Sequence, residues 1–430
     1  MWRNLAGVFG TNVFAKLASV VALVGIVRTL SEAQFARYTV AYTVYGMLSG
    51  FVFIALNFGM VRAAARYRHD TGRRAYAAFA SYGALQLIAF AICLLVALLL
   101  QGPLAQGIFG STAYAPELLA GLLSAFALIL SNYVLYIVQA DEAFGVYNRI
   151  NLARHLLLIP CLGIFWLTST LDWLTTLLGF AAANALPALV YLLLPANRRI
   201  LTLADLDTQL MRTALGATAW MMLYFTTNGA VDYVGNALLA RTGDTAALAQ
   251  YGAALRYYHV VIITLFSLNA VLLPRFAKAD ADTQSFRSFL LRWWARLVWG
   301  YVPLGLVLYF AEPLWVWVNG DAYRSAYHLF AWMCLGAWAY LLLLPSLNML
   351  IARQRYALLT LCATVSLTSY VLIGMVIASD YKADGMALLS AIGLPLTPLL
   401  MTVFVWFQPD LPPSEPLDQT PLHASLSDDS

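Results

Sequence analysis

RTLSEAQFARY (residues 28–38) and RTGDTAALAQY (residues 241–251) say nearly the same thing 213 positions apart. In that register Arg28 meets Arg241, Thr29 meets Thr242, Ala33 meets Ala246, Ala36 meets Ala249, Tyr38 meets Tyr251 and Ala41 meets Ala254. The same offset aligns Arg62 with Arg275, a whole helix further on. The phrase falls at the link between the first two apolar runs of each half, so the chain reads as a duplication.

The composition says what is duplicated. The 430 residues are 62% hydrophobic and only 11% charged, with a mean hydropathy of +0.74. Soluble domains carry about 25% charge, so this chain is expected to be an integral membrane protein. Twelve apolar runs approach the ~20 residues that a bilayer requires. They fall roughly at 5–29, 38–61, 79–101, 115–139, 150–170, 173–195, 213–237, 249–273, 290–311, 325–350, 356–379 and 385–407. STLDW (169–173) implies a tight hairpin, and the apolar N-terminus, without a cleavage-site pattern, reads as an uncleaved first span.

With basic residues near the uncertain run ends assigned to the flanks, eighteen of the 25 fall on one side, five on the other, and Lys16 and Arg256 within the runs. The positive-inside rule then puts both termini in the cytoplasm. Six spans per copy preserve orientation, so the copies are parallel and frame a central cavity suited to alternating access. The expected fold is all-α, with twelve transmembrane helices in two parallel six-helix bundles, 1–212 and 213–407. The proline-rich, Lys- and Arg-free segment 408–430 is expected to be a disordered cytoplasmic tail.

Several quoted stretches resemble polysaccharide flippases of the Wzx type, in the multidrug/oligosaccharidyl-lipid/polysaccharide (MOP) exporter superfamily. IVRTLSEAQFARYTVAYTVYG (26–46) keeps Arg28, Leu30, Phe35 and Tyr38 of that family's opening, with Ser31 and Ala36 where glycine is usual. NFGMVRAAARY (57–67), AVLLPRFAKA (270–279) and WVNGDAYRSA (317–326) are similar to later family motifs. The resemblance implies a MATE-like fold in a bacterial inner membrane. It also implies movement of a polyprenyl-pyrophosphate-linked oligosaccharide to the outer leaflet for cell-surface polysaccharide synthesis. A polysaccharide polymerase and a chain-length regulator are the partners it suggests.

Such a substrate calls for cations and aromatic or hydroxyl groups within the membrane, where ionisable side chains mark function by default. Lys16 shares a helix face with Asn12 and Ser19. That stripe is either a substrate contact or a polar seam to another helix. Arg256 and His259, with Tyr257 and Tyr258 between them, suit a phosphate and a sugar ring. The alternative there is an interfacial aromatic belt. Asp232, with Asn228 one turn earlier, either pairs with Arg256 or binds a coupling H⁺ or Na⁺. Arg28 and Arg241, and Arg62 and Arg275, are further candidates for the pyrophosphate, or else helix-end and topology residues.

The four cysteines lie singly in apolar runs, and no metal, nucleic-acid, P-loop, HExxH or GxSxG pattern appears. No cofactor is expected. Rival readings are a MATE-like cation or drug antiporter, a lipid II flippase, a membrane polysaccharide polymerase or glycosyltransferase, and a scaffold. Lys16, in place of an acid in span one, argues against the antiporter and the scaffold, the uncharged external stretch 102–115 argues against the polymerase, and a lipid II flippase is expected to have two further helices.

Overall fold

The computed structural model describes residues 2–50, 52–67, 73–201, 205–266 and 283–407. The tail 408–430 and Arg275 lie outside these residues. The described chain is helical, with no strand among the described residues. The first half holds α1 (Trp2–Thr29), α2 (Glu32–Gly50), α3 (Val52–Tyr67), α4 (Arg73–Phe109), α5 (Ala115–Ala140), α6 (Phe144–Leu156), α7 (Leu158–Leu167) and α8 (Trp173–Leu193). The second half holds α9 (Thr208–Thr242), α10 (Thr245–Phe266), α11 (Thr283–Leu297), α12 (Tyr301–Phe310), α13 (Glu312–Asn319), α14 (Arg324–Ala352), α15 (Tyr356–Asp380) and α16 (Lys382–Phe407).

Among the described residues, eight helices are long and apolar enough to cross a membrane, or nine when Phe286–Phe310 and Glu312–Asn319 count as one bent span. The expected twelve is not reached on that measure. Helices α9 and α10, of 35 and 22 residues, are long enough but outside the set. They carry Asn228, Asp232 and Asn236, and Gln250, Arg256 and His259, which lower their hydropathy. Helix α1, of 28 residues, is also outside it.

Two expected boundaries move. The third run, expected at 79–101, continues as α4 to Phe109 past Pro103, with a non-helical Leu100 (φ −120, ψ 23) marking the kink. The stretch 102–115, expected as an external loop, is therefore largely helix. The fifth run, expected from 150, belongs to a span that runs Phe144–Leu167.

The repeated phrase turns out to be a repeated corner. Ser31 Oγ accepts from the backbone N–H of Gln34 at 3.4 Å. In the repeat register, Asp244 Oδ1 accepts from the N–H of Ala247 at 2.9 Å. Each side chain thus caps the orphan donors that open a helix. Gly243 closes α9 in the left-handed region, φ 73, where a side chain would be strained. The STLDW hairpin is a capping box, with Thr175 N–H donating to Asp172 Oδ1 at 2.7 Å and Asp172 N–H to Thr175 Oγ1 at 2.8 Å.

Within the first half, α2 and α5 approach backbone to backbone: a methyl group on Gly121 would collide with the Ala41 carbonyl oxygen. Small residues allow such close approach where lipid supplies no hydrophobic drive. At the end of this pair the Glu117 carboxylate, 1% exposed, accepts from Arg37 Nε, and the Arg37 guanidinium lies 4.7 Å over the Trp173 ring. Across the halves, α2 packs on α9 and α10, α3 and α4 pack on α9, and α1 touches α10. The first two helices of each copy therefore meet along the middle of the molecule.

The Asp244 corner lies outside the spans and makes a prediction. The N–H of Ala247, then the Lys382 ammonium 2.7 Å away, hold the Asp244 carboxyl below its ordinary value of 3.8. Its contribution is present above that ordinary range and lost as pH falls through the depressed value. Lys382 is exposed, so the helix cap stabilises more than the ion pair does. Replacing Asp244 with Ala is expected to cost about 1 kcal/mol at pH 7. In thermal melts of the detergent-solubilised chain, the difference from wild type should hold above the ordinary value of 3.8 and shrink only as pH falls below it, through the depressed value.

Candidate functional site

Five basic side chains converge where α1, α6 and α10 meet. Lys16 is half-buried on α1 and lies within electrostatic reach of Arg154. One turn on, the Ser19 hydroxyl sits 2.8 Å from His155 Nδ1 on α6. His155 in turn feels the charges of Arg154 and Lys16. From the second half, His259 on α10 feels Arg256 and Lys16. The cluster therefore joins both halves.

Each arginine of the cluster is held by neutral polar groups rather than by acids. Arg256 is 7% exposed. Its Nη1 donates to the Tyr38 hydroxyl at 3.1 Å, and its guanidinium lies 3.1 Å from the centroid of the Tyr42 ring and 4.7 Å from that of Tyr38. Cation–π contacts of this kind contribute about 2 kcal/mol when desolvated. Its Nη2 has no hydrogen-bond partner among the described residues. Arg154 Nε donates to Asn151 Oδ1 and its Nη1 to Asn132 Oδ1, both at 3.1 Å. The hydroxyls of Tyr45, Tyr136 and Tyr147 lie within its electrostatic reach. Tyr233 on α9 closes the floor, its ring 5.7 Å from that of His259. A guanidinium with an unused donor and a tyrosine wall can take a phosphate oxygen and stack on a sugar.

Lys16, Arg256 and His259, which the sequence singles out, come together in this cluster. Arg154 and His155 join them, although the sequence did not single them out. With the fifth run starting at 150, Arg154 falls on the cytoplasmic flank. With the span starting at Phe144, Arg154 is ten residues in, about 15 Å along the axis. The available signal was polar residues at helical spacing, Asn148, Asn151 and Arg154, along one face of NRINLARH.

Other candidates lie elsewhere. Tyr257 points away from the cluster: its hydroxyl donates to Asn319 Oδ1, and its ring packs edge-on against Trp315 at 4.6 Å. Asp232 forms no ion pair with Arg256 among the described residues. It lines a cavity of about 20 Å³ with Asn228, Tyr258, Tyr340 and Thr397. Arg62 is exposed, its Nη2 donating to the Tyr356 hydroxyl at 2.8 Å. The side chain of Asn12 lies outside the described residues.

The repeated arginines do something else. Arg28 Nε donates to the Val318 carbonyl at 2.6 Å, and its Nη2 to that of Trp317. Arg241 Nη1 donates to the Gly107 carbonyl at 2.8 Å. These carbonyls lie in the last turns of α13 and α4, where intrahelical donors run out. Each arginine thus leaves its own half and caps the broken third span of the other. Both are exposed and lie at helix ends rather than in the central cluster, in line with the helix-end role that the sequence left open beside the pyrophosphate.

The chain shares its helical fold with solved transporters of the MOP superfamily. It matches an inward-facing multidrug resistance MATE family transporter with a TM-score of 0.71 at 13% identity, covering 91% of this chain and 94% of that one. A MOP superfamily transporter from Pyrococcus furiosus, described as having reverse polarity of its binding pocket, gives 0.64 at 13% identity over 94% and 93%. A mutant of the Vibrio cholerae MATE transporter VcmN gives 0.60 at 16% identity over 94% and 98%. The chain belongs to the polysaccharide biosynthesis protein family, which matches residues 1–280. No curated protein matches it in sequence.

The two arginine caps should hold the halves closed on their side. In a cysteine-free background carrying Ser19→Cys, the double variant Arg28→Ala/Arg241→Ala is expected to label faster with an impermeant thiol reagent applied to that side. Charged hydrogen bonds of ~1.5–3 kcal/mol in buried settings, discounted for exposure, set the gain at about fivefold. Unchanged labelling would show that other contacts close that side.

Proposed function

We propose that this protein flips a polyprenyl-pyrophosphate-linked oligosaccharide from the cytoplasmic to the outer leaflet of a bacterial inner membrane by alternating access. The observation that carries this reading is the cluster of Lys16, Arg154, His155, Arg256 and His259, supplied by both halves and partnered by tyrosine and asparagine. A cationic site at membrane depth, whose cations pair with no acid among the described residues, suits a diphosphate and repels a cationic drug. Membership of the polysaccharide biosynthesis family supports the glycan part. The reversed pocket polarity described for the Pyrococcus furiosus transporter is a precedent for a changed cargo on this fold.

In this reading, residues 1–212 and 213–407 rock about the central contacts, with both termini in the cytoplasm. Arg256 and Lys16 take the pyrophosphate, Arg154 and His155 support them, and Tyr42 and Tyr233 offer faces to the glycan. A polymerase and a chain-length regulator would use the flipped product. The protein acts as a transporter, without a cofactor.

A second role belongs to Asp232. Its cavity is large enough for one water or a small ion, and no cation partners its carboxylate among the described residues. We infer that it carries the coupling H⁺ or Na⁺.

Both readings are tested in proteoliposomes with a labelled polyprenyl-pyrophosphate oligosaccharide. Arg256→Gln and Arg154→Gln are expected to lower the flipping rate at least about tenfold, since each removes a charged contact of ~1.5–3 kcal/mol. Lys16→Ala should lower it similarly. Asp232→Asn should abolish acceleration by an imposed H⁺ or Na⁺ gradient while sparing gradient-free exchange. Wild-type exchange of a cationic drug, with no movement of the lipid, would overturn the flippase reading.

A further inference from the structure

Helix α11 presents two faces of opposite character. Phe286, Leu290, Trp293, Trp294 and Leu297 turn inward. Trp294 Nε1 donates to the Leu342 carbonyl of α14 at 2.8 Å, and its ring stacks on Trp406 of α16 at 6.1 Å. The opposite face carries Ser288, Leu291, Arg292, Ala295, Arg296 and Trp299, all exposed. It continues through Val302, Leu306 and Phe310 of α12, also exposed. Exposed apolar residues at helical spacing along a membrane span face lipid rather than water. Arg292 and Arg296 therefore stand one turn apart on a lipid-facing stripe.

Their depth makes them costly. Counting ~20 residues back from Phe310 for a ~30 Å hydrocarbon layer puts its other boundary near residue 290. Arg292 then sits at that boundary, and Arg296 about one turn inside it. Neither is paired with an acid among the described residues. By contrast, neighbouring Arg287 turns to the protein and donates to the Trp406 carbonyl. An unpaired guanidinium facing lipid at this depth must reach a phosphate, and a long side chain can snorkel to one.

We propose that Arg292 and Arg296 form a binding site for the headgroup phosphate of an anionic phospholipid in the leaflet at the α11 end. Arg296 reaches up from below and Arg292 closes from the side, with the Ser288 hydroxyl one turn further out. Trp299, 73% exposed, lies beside the acyl chains below. Charge complementarity selects the occupant: the headgroup phosphates lie at the boundary that Arg292 occupies and Arg296 reaches by snorkelling, and anionic headgroups add about 1 kcal/mol of attraction per arginine. A partner protein would need an acidic side chain within its own span to match.

The test measures phosphatidylglycerol and phosphatidylcholine retained by the full-length chain after detergent exchange, read by native mass spectrometry. Wild type is expected to retain phosphatidylglycerol preferentially. Arg292→Gln and Arg296→Gln should each weaken retention about fivefold, and the pair at least about tenfold. Arg292→Lys/Arg296→Lys should keep most of it. Equal elution profiles on size exclusion separate lost lipid from lost fold. Wild type without preference for phosphatidylglycerol, or a double Gln variant that retains it fully, would overturn the proposal. So would loss of a co-purifying membrane protein, instead of lipid, from the double Gln variant.

Discussion

A guanidinium buried among helices in a membrane is tolerated where the protein replaces its water, and Arg256 shows how that is done here. Its charge rests on the faces of two tyrosines, and one donor is taken by the Tyr38 hydroxyl. Both tyrosines come from the other half of the chain. The contact that makes the charge tolerable is therefore also the contact that seats α10 against α2. The polarity of α9 and α10, and with it the route along which the halves meet, follows from that requirement.

The same constraint governs Arg154. Two asparagine side chains accept from it, and no carboxylate pairs with it among the described residues. An acid at either site would satisfy the arginine and extinguish the positive field of the cavity. Neutral partners hold the geometry while leaving the charge available to a ligand. Asp232 keeps its own small cavity towards α14 and α16, so the acid and the cations stay apart within one half.

Duplication is used differently at different depths. At the repeated corner the copies are alike in detail: Ser31 and Asp244 cap equivalent helices, and Arg28 and Arg241 each cap the broken third span of the opposite half. At the centre they diverge. Arg256 has Thr43 as its counterpart, and Thr43 accepts from Asn236 instead of holding a charge. A symmetric frame thus encloses an asymmetric site, which suits a cargo with one charged end and one sugar end.

Much was legible without coordinates. Composition and run length pointed to a helical membrane protein, and the 213-residue offset to two copies in one chain. Mid-span polarity picked out Lys16, Arg256, His259 and Asp232, because burying such groups is expensive wherever they pack. Three things were decided only by tertiary structure. Arg154 and His155 became part of the cluster when α6 began earlier than its hydropathy indicated, since a polar stripe facing a cavity depresses the hydropathy of the helix that carries it. Between the two roles open to Arg28 and Arg241, the helix-end role is the one their contacts show, because their partners are carbonyls freed by helix ends that are distant in sequence. Asp232 and Arg256 stayed unpaired because depth along adjoining helices does not fix the direction in which each side chain points. Hydropathy reports how much polarity a helix carries; only packing determines which neighbour receives it.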